Sequence, residues 1–281
     1  MTPGLDTRAA AVLADQAEAA AYTELWRAAP VAVRSALGLE VRELSGATQL
    51  LAPGLPVAMF NRVIGLGLNR PATGEDLDTL LHSFRAAGCR DWWLHWNPHA
   101  EPAQFGDVLI GRGFTLPARR AWAKMLWHAP TLPEAATRLQ VALARDEQIE
   151  AVTESITQAF GMPPLMAGWL AALQGREHWR VYAACDGERV VGGGCLYLDG
   201  ATAWLGMGSI VESHRQLGGQ RALMTLRIRD ALDAGCRHIA TETGEPMAGE
   251  PNPSLLNMQR SGFVSVASRL NYAAPPPGRE G

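Results

Sequence analysis

The chain has 281 residues, 47% hydrophobic and 19% charged, which is enough apolar material for one large core or two ordinary ones and excludes a disordered polymer. A net charge of −3, with no basic block anywhere, excludes the phosphate-neutralising surface of a nucleic-acid binder. Positive charge is almost wholly arginine: Lys124 is the sole lysine, so no lysine is a catalytic candidate in the second half.

In chain order, the alanine-rich stretch TRAAAVLADQAEAAAYTELWRAA predicts a helix ending near Pro30, and VAVRSAL a short second one closed by Gly38. ATQLLA and PVAMFNRVIGLGL read as strands separated by PGLP turn chemistry. TGEDLDTLLHSFRAAG carries helix signals at both ends, with Thr73 as cap, Glu75 and Asp76 in the first turn and Gly88 as the stop. DWWLHW is a buried strand, AEPAQFGDVLIGRG a helix and RAWAKMLWH a strand. APTLPEAA, residues 129–136, is the best linker and divides the chain into 1–130 and 131–281.

The second part starts again with a strand in TRLQVALA and helices in DEQIEAVTESITQAF and PPLMAGWLAAL. A meander over residues 179–210 carries hairpin signals at Asp186-Gly187 and Asp199-Gly200. A helix over Ala222 to Ala234, the strand RHIATET, a long loop, the short helix SLLNMQRSG and the strand VSVASRLNYAA follow; the tail PPPGREG is expected to be disordered. Cys89, Cys185, Cys195 and Cys236 form no C-x-x-C pair and read as buried thiols, and no histidine cluster stands at zinc-ligand spacing, so no metal is expected. The first residues lack the order of a secretory leader and no apolar run approaches the roughly 20 residues of a membrane span. The expectation is a soluble, cytoplasmic protein without membrane contact, its oligomeric state open.

An internal repeat stands out. Ala87-Gly88-Cys89-Arg90 recurs as Ala234-Gly235-Cys236-Arg237, and Gly113-Phe114 as Gly262-Phe263, at separations of 25 and 27 residues (113 − 88 and 262 − 235). Each pair of motifs falls between a helix and a strand, which suggests two copies of one unit.

The stretch SIVESHRQLGGQRALM, Ser209 to Met224, joins a strand to a helix through two adjacent glycines. Such a junction presents free amides to an anion. HRQLGGQRALM resembles the acyl-CoA-binding loop of the GNAT superfamily of N-acyltransferases, [Q/R]-x-x-G-x-[G/A]: Arg215, Gly218 and Gln220 hold its defined positions, and Gln220 departs from the usual Gly or Ala. NPSLLNMQRSGF is similar to the family's late helix, and the resemblance spans about Leu139 to Tyr272. It implies an α/β fold of two tandem GNAT-like mixed-sheet domains with helices on both faces. It also implies that Gln216, Leu217, Gly218, Gly219, Gln220 and Arg221 bind the pyrophosphate of acetyl-CoA, with Arg215 adding charge. Ile210 and Val211 would pair with pantetheine, and Asn252 would contact the cofactor.

Transferred through the repeat, Gly218 falls opposite Pro71, which has no N–H, and Glu75 and Asp76 repel phosphate; the first copy is expected to bind no cofactor and to help form the acceptor pocket. Where the family places a tyrosine acid, this chain has Met258. Glu242 is the candidate base and Tyr272 the substitute acid; Glu212 and Glu245 are placed at the pocket border, and His214 and His238 read as structural. The functional expectation is acetyl transfer to an amine of a small molecule or peptide terminus, with a silent acyl-CoA-binding or regulatory module and an unrelated phosphate-binding α/β protein as the alternatives.

Overall fold

Asp6 accepts a hydrogen bond from the Ala9 amide and so starts the alanine-rich helix α1 (Thr7–Ala28), which lies across the middle of the molecule. The computed structural model describes residues 5–55, 57–118, 121–247, 250 and 252–276; most of the PPPGREG tail, from 277 on, lies outside them. After α1 the first half runs α2 (Val31–Leu37), β1 (Glu40–Leu44), β2 (Ala47–Leu51), β3 (Arg62–Ile64), α3 (Gly74–Ala86), β4 (Trp93–Trp96), α4 (Phe105–Gly111) and β5 (Ala121–Trp127). The second runs β6 (Gln140–Leu143), α5 (Ile149–Ala159), α6 (Leu165–Ala171), β7 (Trp179–Asp186), β8 (Arg189–Asp199) and β9 (Thr202–Ile210). It continues with α7 (Gly219–Asp233), β10 (His238–Gly244), α8 (Pro253–Arg260) and β11 (Phe263–Ala273).

The repeat is structural. Leaving β6 aside, the two halves have the same element order, two helices, three strands, helix, strand, helix, strand. Gly88 (φ 76°) and Gly235 (φ 86°) are the left-handed residues that end α3 and α7, and Cys89 and Cys236 send their amides back to Phe84 and Ala231. Phe114 and Phe263 are both buried.

The halves do not form separate sheets. One eleven-stranded mixed sheet has the order β1-β2-β3-β4-β11-β5-β10-β9-β8-β7-β6. The last strand of each half is exchanged: β11 pairs with β4, β5 pairs with β10, and β5 and β11 pair with each other, all antiparallel. Apart from β6 the order reads the same from both ends under the repeat. Helices cover both faces. One core joins α1, α2, α5 and α6 to one face across both halves, whereas α3 and α4 cover the opposite face of the first half and α7 and α8 that of the second.

Two sequence expectations change. LEVREL was not read as a strand, yet β1 pairs with β2 through a tight turn at Ser45 and Gly46, both with positive φ. The strand expected over PVAMFNRVIGLGL shortens to β3, because a helical turn at Ala58–Phe60 precedes it and left-handed Gly65 and Gly67 end it.

Where β5 and β11 cross, α1 brings Asp15 and Glu18 onto a buried ion cluster. Lys124 Nζ lies 2.7 Å from Glu18, 2.9 Å from Glu242 and 3.7 Å from Asp15. Arg269 binds Asp15 at 2.9 Å and also Glu18, and Arg62 lies 3.3 Å from Glu18. Burial opposes ionisation of Glu18, but Arg269, Lys124 and Arg62 together hold its carboxyl well below the usual range. Glu18→Gln is expected to lower the unfolding free energy at neutral pH by about 3–5 kcal/mol, because it strips a counter-charge from buried cations. The depressed carboxyl stabilises the fold above its unfolded-state pKa and loses that contribution as pH falls through the folded value. Urea unfolding should therefore show a wild-type advantage at neutral pH that shrinks in acid.

Candidate active site

β9 and β10 are parallel and paired only from Thr202/His238 to Leu205/Thr241. Beyond that point β10 pairs with β5 alone, while β9 bulges: its register with β8 shifts between Gly193 and Cys195, and Met207 takes a left-handed φ of 56°. Buried Arg227 braces the bulge from α7 through the carbonyls of Cys195 and Gly206, at 3.1 and 3.0 Å. The divergence opens a gap through the sheet. Val211 bonds back to Val191, so the ladder's alternation turns the amide and carbonyl of Ile210 away from β8 and into that gap.

A cavity of about 190 Å³ occupies the gap. On the α1 face its walls include Tyr22, Leu25, Phe60, Met162 and Met166; on the α7 face they include Gln220, Met224, Arg227, Ser254 and Met258. Glu242 and Trp204 line it between the two.

Glu242 stands directly opposite Lys124 in the β10–β5 register. Its Oε2 accepts from Lys124 Nζ and from Trp204 Nε1, both at 2.9 Å, and its Oε1 has no hydrogen-bond partner among the described residues. Burial raises its carboxyl, as does the negative charge of Glu18, against the opposing pull of Lys124. A carboxyl raised in this way is a stronger base than an exposed glutamate.

The turn before α7 keeps its donors free. The amides of Gln216, Leu217, Gly218, Gly219, Gln220 and Arg221 have no acceptor among the described residues. Left-handed Gln216 (φ 66°) and Gly218 (φ 78°) curl the chain into a concave row of N–H groups, which suits a diphosphate. Gln220 does not crowd it: its Oε1 accepts from Asn257 on α8 at 2.8 Å. Arg215 is exposed, whereas the Arg221 side chain is tied to the Glu134 carbonyl at 2.6 Å. The 129–136 linker runs past this turn, and a Cβ on Gly218 would fall onto the Ala136 carbonyl oxygen.

Several expected site residues stand elsewhere or are already engaged. Tyr272 is packed in the first half's core beside Gly106, since the exchange pairs the end of β11 with β4; it does not line the cavity and is no acid for it. Asn252 caps α8, accepting from the Leu255 amide at 3.0 Å and donating to the Gly244 carbonyl, and it does not line the cavity. The backbone of Val211 is spent on Val191 and His214. Glu212 and Glu245 line no part of the cavity. His214 lies 3.3 Å from Asp186.

The equivalent helix start in the first half is sealed from within. α3 is shorter than α7, so its cap is Thr73 rather than Pro71. Asp76 accepts from the Thr73 amide and hydroxyl, both at 2.9 Å, and pairs with Arg70 at 2.8 and 2.6 Å. The Arg70 bonds hold the Asp76 carboxyl far below its usual range, so a permanent anion of the chain's own fills the place of a phosphate. Sequence reasoning missed Lys124, Tyr22 and Ser254; a lone lysine inside the apolar run RAWAKMLWH was the available signal for the first.

Gly218→Ala and Gly235→Ala separate two effects. Both positions have positive φ, but only Gly218 is pressed by a neighbour, whereas Gly235 faces open space. Gly235→Ala is expected to cost about 1–2 kcal/mol for backbone conformation alone. Gly218→Ala should cost more, read as a lower urea midpoint, because the linker must also shift.

No protein-family model matches the sequence, and no curated protein matches it. Among the described residues no helix is long and apolar enough to cross a membrane, and no cluster of His, Cys, Asp and Glu could hold a metal. Solved structures do match. A GCN5-related N-acetyltransferase from Kribbella flavida superposes with a TM-score of 0.64 at 15% identity, covering 95% of this chain and 96% of that one. One from Sphaerobacter thermophilus gives 0.59 at 17%, covering 89% and 86%. A tandem GNAT protein from the clavulanic acid biosynthesis pathway gives 0.58 at 17%, covering 84% and 79%. At such identities the likeness is one of fold, and the fold of this chain is the tandem GNAT fold over nearly its whole length.

Proposed function

We propose that the chain is a cytoplasmic N-acetyltransferase that moves the acetyl group of acetyl-CoA to an amine of a small molecule or peptide terminus. The observation that carries this reading is the row of unbonded amides from Gln216 to Arg221 beside a through-sheet gap that holds Glu242. Those amides would hold the diphosphate, with Arg215 adding charge and Ile210 offering its amide and carbonyl to pantetheine. Bound acetyl-CoA supplies an activated acyl carbonyl and a thiolate leaving group. Glu242 takes the proton of the incoming ammonium so that a neutral amine can attack, and Lys124 and Trp204 fix the orientation of its carboxylate. Met258 carries no proton to give; Ser254, one turn earlier on α8 and also on the cavity wall, is the hydroxyl assigned to the leaving group.

The second reading, a silent acyl-CoA-binding or regulatory module, is favoured by Met258 and by the first half, whose helix start Asp76 closes. Thiol release from acetyl-CoA with a panel of amines separates the two. The proposal expects amine-dependent release, falling on the acid side as Glu242 becomes protonated at its raised pKa. Glu242→Gln should reduce turnover by about 10²–10⁴-fold and abolish that acid limb, while acetyl-CoA still stabilises the fold in thermal melts. Stabilisation without release would favour the silent module. No stabilisation would count against both.

A further inference from the structure

The two mouths of the cavity differ in chemistry. On the α7 face are the polar groups Gln220, Arg227 and Ser254, beside the free amides. On the α1 face the wall is aromatic and thioether: Tyr22, Phe60, Phe160, Met59, Met162 and Met166. The carboxylates of Asp15 and Glu18 are committed to Arg269 and Lys124 and are not among the residues lining the chamber. Glu242 is the single carboxylate among the residues lining the cavity.

We propose that the acceptor is an apolar primary monoamine, one amino group on an alkyl or single-ring body, bound body-outward in this chamber with its nitrogen at Glu242. The inference rests on the acyltransferase reading and narrows it. An ammonium entering from the α1 face meets one carboxylate, Glu242, at the depth where the sheet opens to the cofactor side. Its Oε2 is held by Lys124 and Trp204, and its Oε1 has no hydrogen-bond partner among the described residues. The carbon body behind it meets methionine and aromatic side chains, which adapt to its shape and gain from its desolvation. A second ammonium or a row of hydroxyls would be buried without partners, which a chamber of this composition rejects. The size agrees: a dry cavity of about 150 Å³ accepts one benzene ring, and this one, about 190 Å³, must also admit the acyl group.

The test is a series of linear primary amines from propylamine to hexylamine, with benzylamine and phenethylamine, against spermidine and kanamycin. Thiol release and amine-dependent thermal stabilisation are read in parallel on the full chain. The expected result is that kcat/KM rises by about fourfold per methylene until the chamber is full, with both polycations below every apolar amine. Met162→Glu, at a half-buried wall position, adds a second carboxylate and should raise 1,4-diaminobutane relative to butylamine. Release that is indifferent to chain length, or that favours spermidine or kanamycin, overturns the inference and leaves the acyltransferase reading standing. Stabilisation that grows with chain length, without release, supports the chamber's assignment and counts against catalysis. Neither release nor stabilisation by any amine overturns both.

Discussion

The surroundings of Glu242 depend on the exchange of the last strand of each half, β5 and β11. With β5 lying between β10 and β11, Lys124 of the first half stands opposite Glu242 of the second. The same placement draws α1 over the centre of the sheet, where Tyr22 and Leu25 become cavity wall and Asp15 and Glu18 meet the cations of β5 and β11. The site therefore belongs to neither half. A second half cut away at residue 131 would keep the amide row but lose the lysine at Glu242 and much of the α1-face wall.

The ion cluster at that crossing balances Asp15, Glu18 and Glu242 against Arg62, Lys124 and Arg269. Buried pairs of this kind add little net stability over apolar packing, since desolvation consumes most of the Coulomb attraction. Their effect here is on specificity and on Glu242. The cluster favours one register of the exchanged strands, because a slip would separate several charges at once, and it places Glu18 where its charge raises the Glu242 carboxyl while Lys124 keeps a cation beside it. The two halves have diverged at matching helix starts. Asp76 fills the one before α3, whereas the linker, by crowding Gly218, supports an open turn before α7. A single repeat unit thus yields one helix start with a row of unbonded amides and one closed by a carboxylate of its own.

Much of the element order was legible from the sequence because its signals are local. The left-handed glycines of both AGCR copies, the Thr73 cap and the strand–glycine–helix turn at Gly218 each act over a few residues, and each stands where its chemistry required. In the sequence the helix start of the first half reads as degenerate through Pro71 and through the negative charge of Glu75 and Asp76. The structure gives Asp76 a further part, as the acceptor at the Thr73 cap, and moves Pro71 off the cap, because α3 is shorter than α7 and the copies slip against each other there. The site itself was half legible. Glu242 and the 216–221 turn followed from the resemblance, but Tyr272 was misplaced and Lys124 overlooked for one reason: strand exchange joins residues more than a hundred positions apart, and no periodicity reports it. Asp15 and Glu18, at helical spacing among the apolar positions of α1, were the anomaly that hinted at buried charge in the centre.

A crystal structure of the full chain grown with acetyl-CoA tests the central claim most directly. The account predicts one cofactor per chain, its diphosphate on the amides of Gln216 to Arg221 and its thioester in the gap between β9 and β10, with the start of α3 still closed by Asp76. A diphosphate bound at α3, or a cofactor held away from the turn before α7, would contradict it.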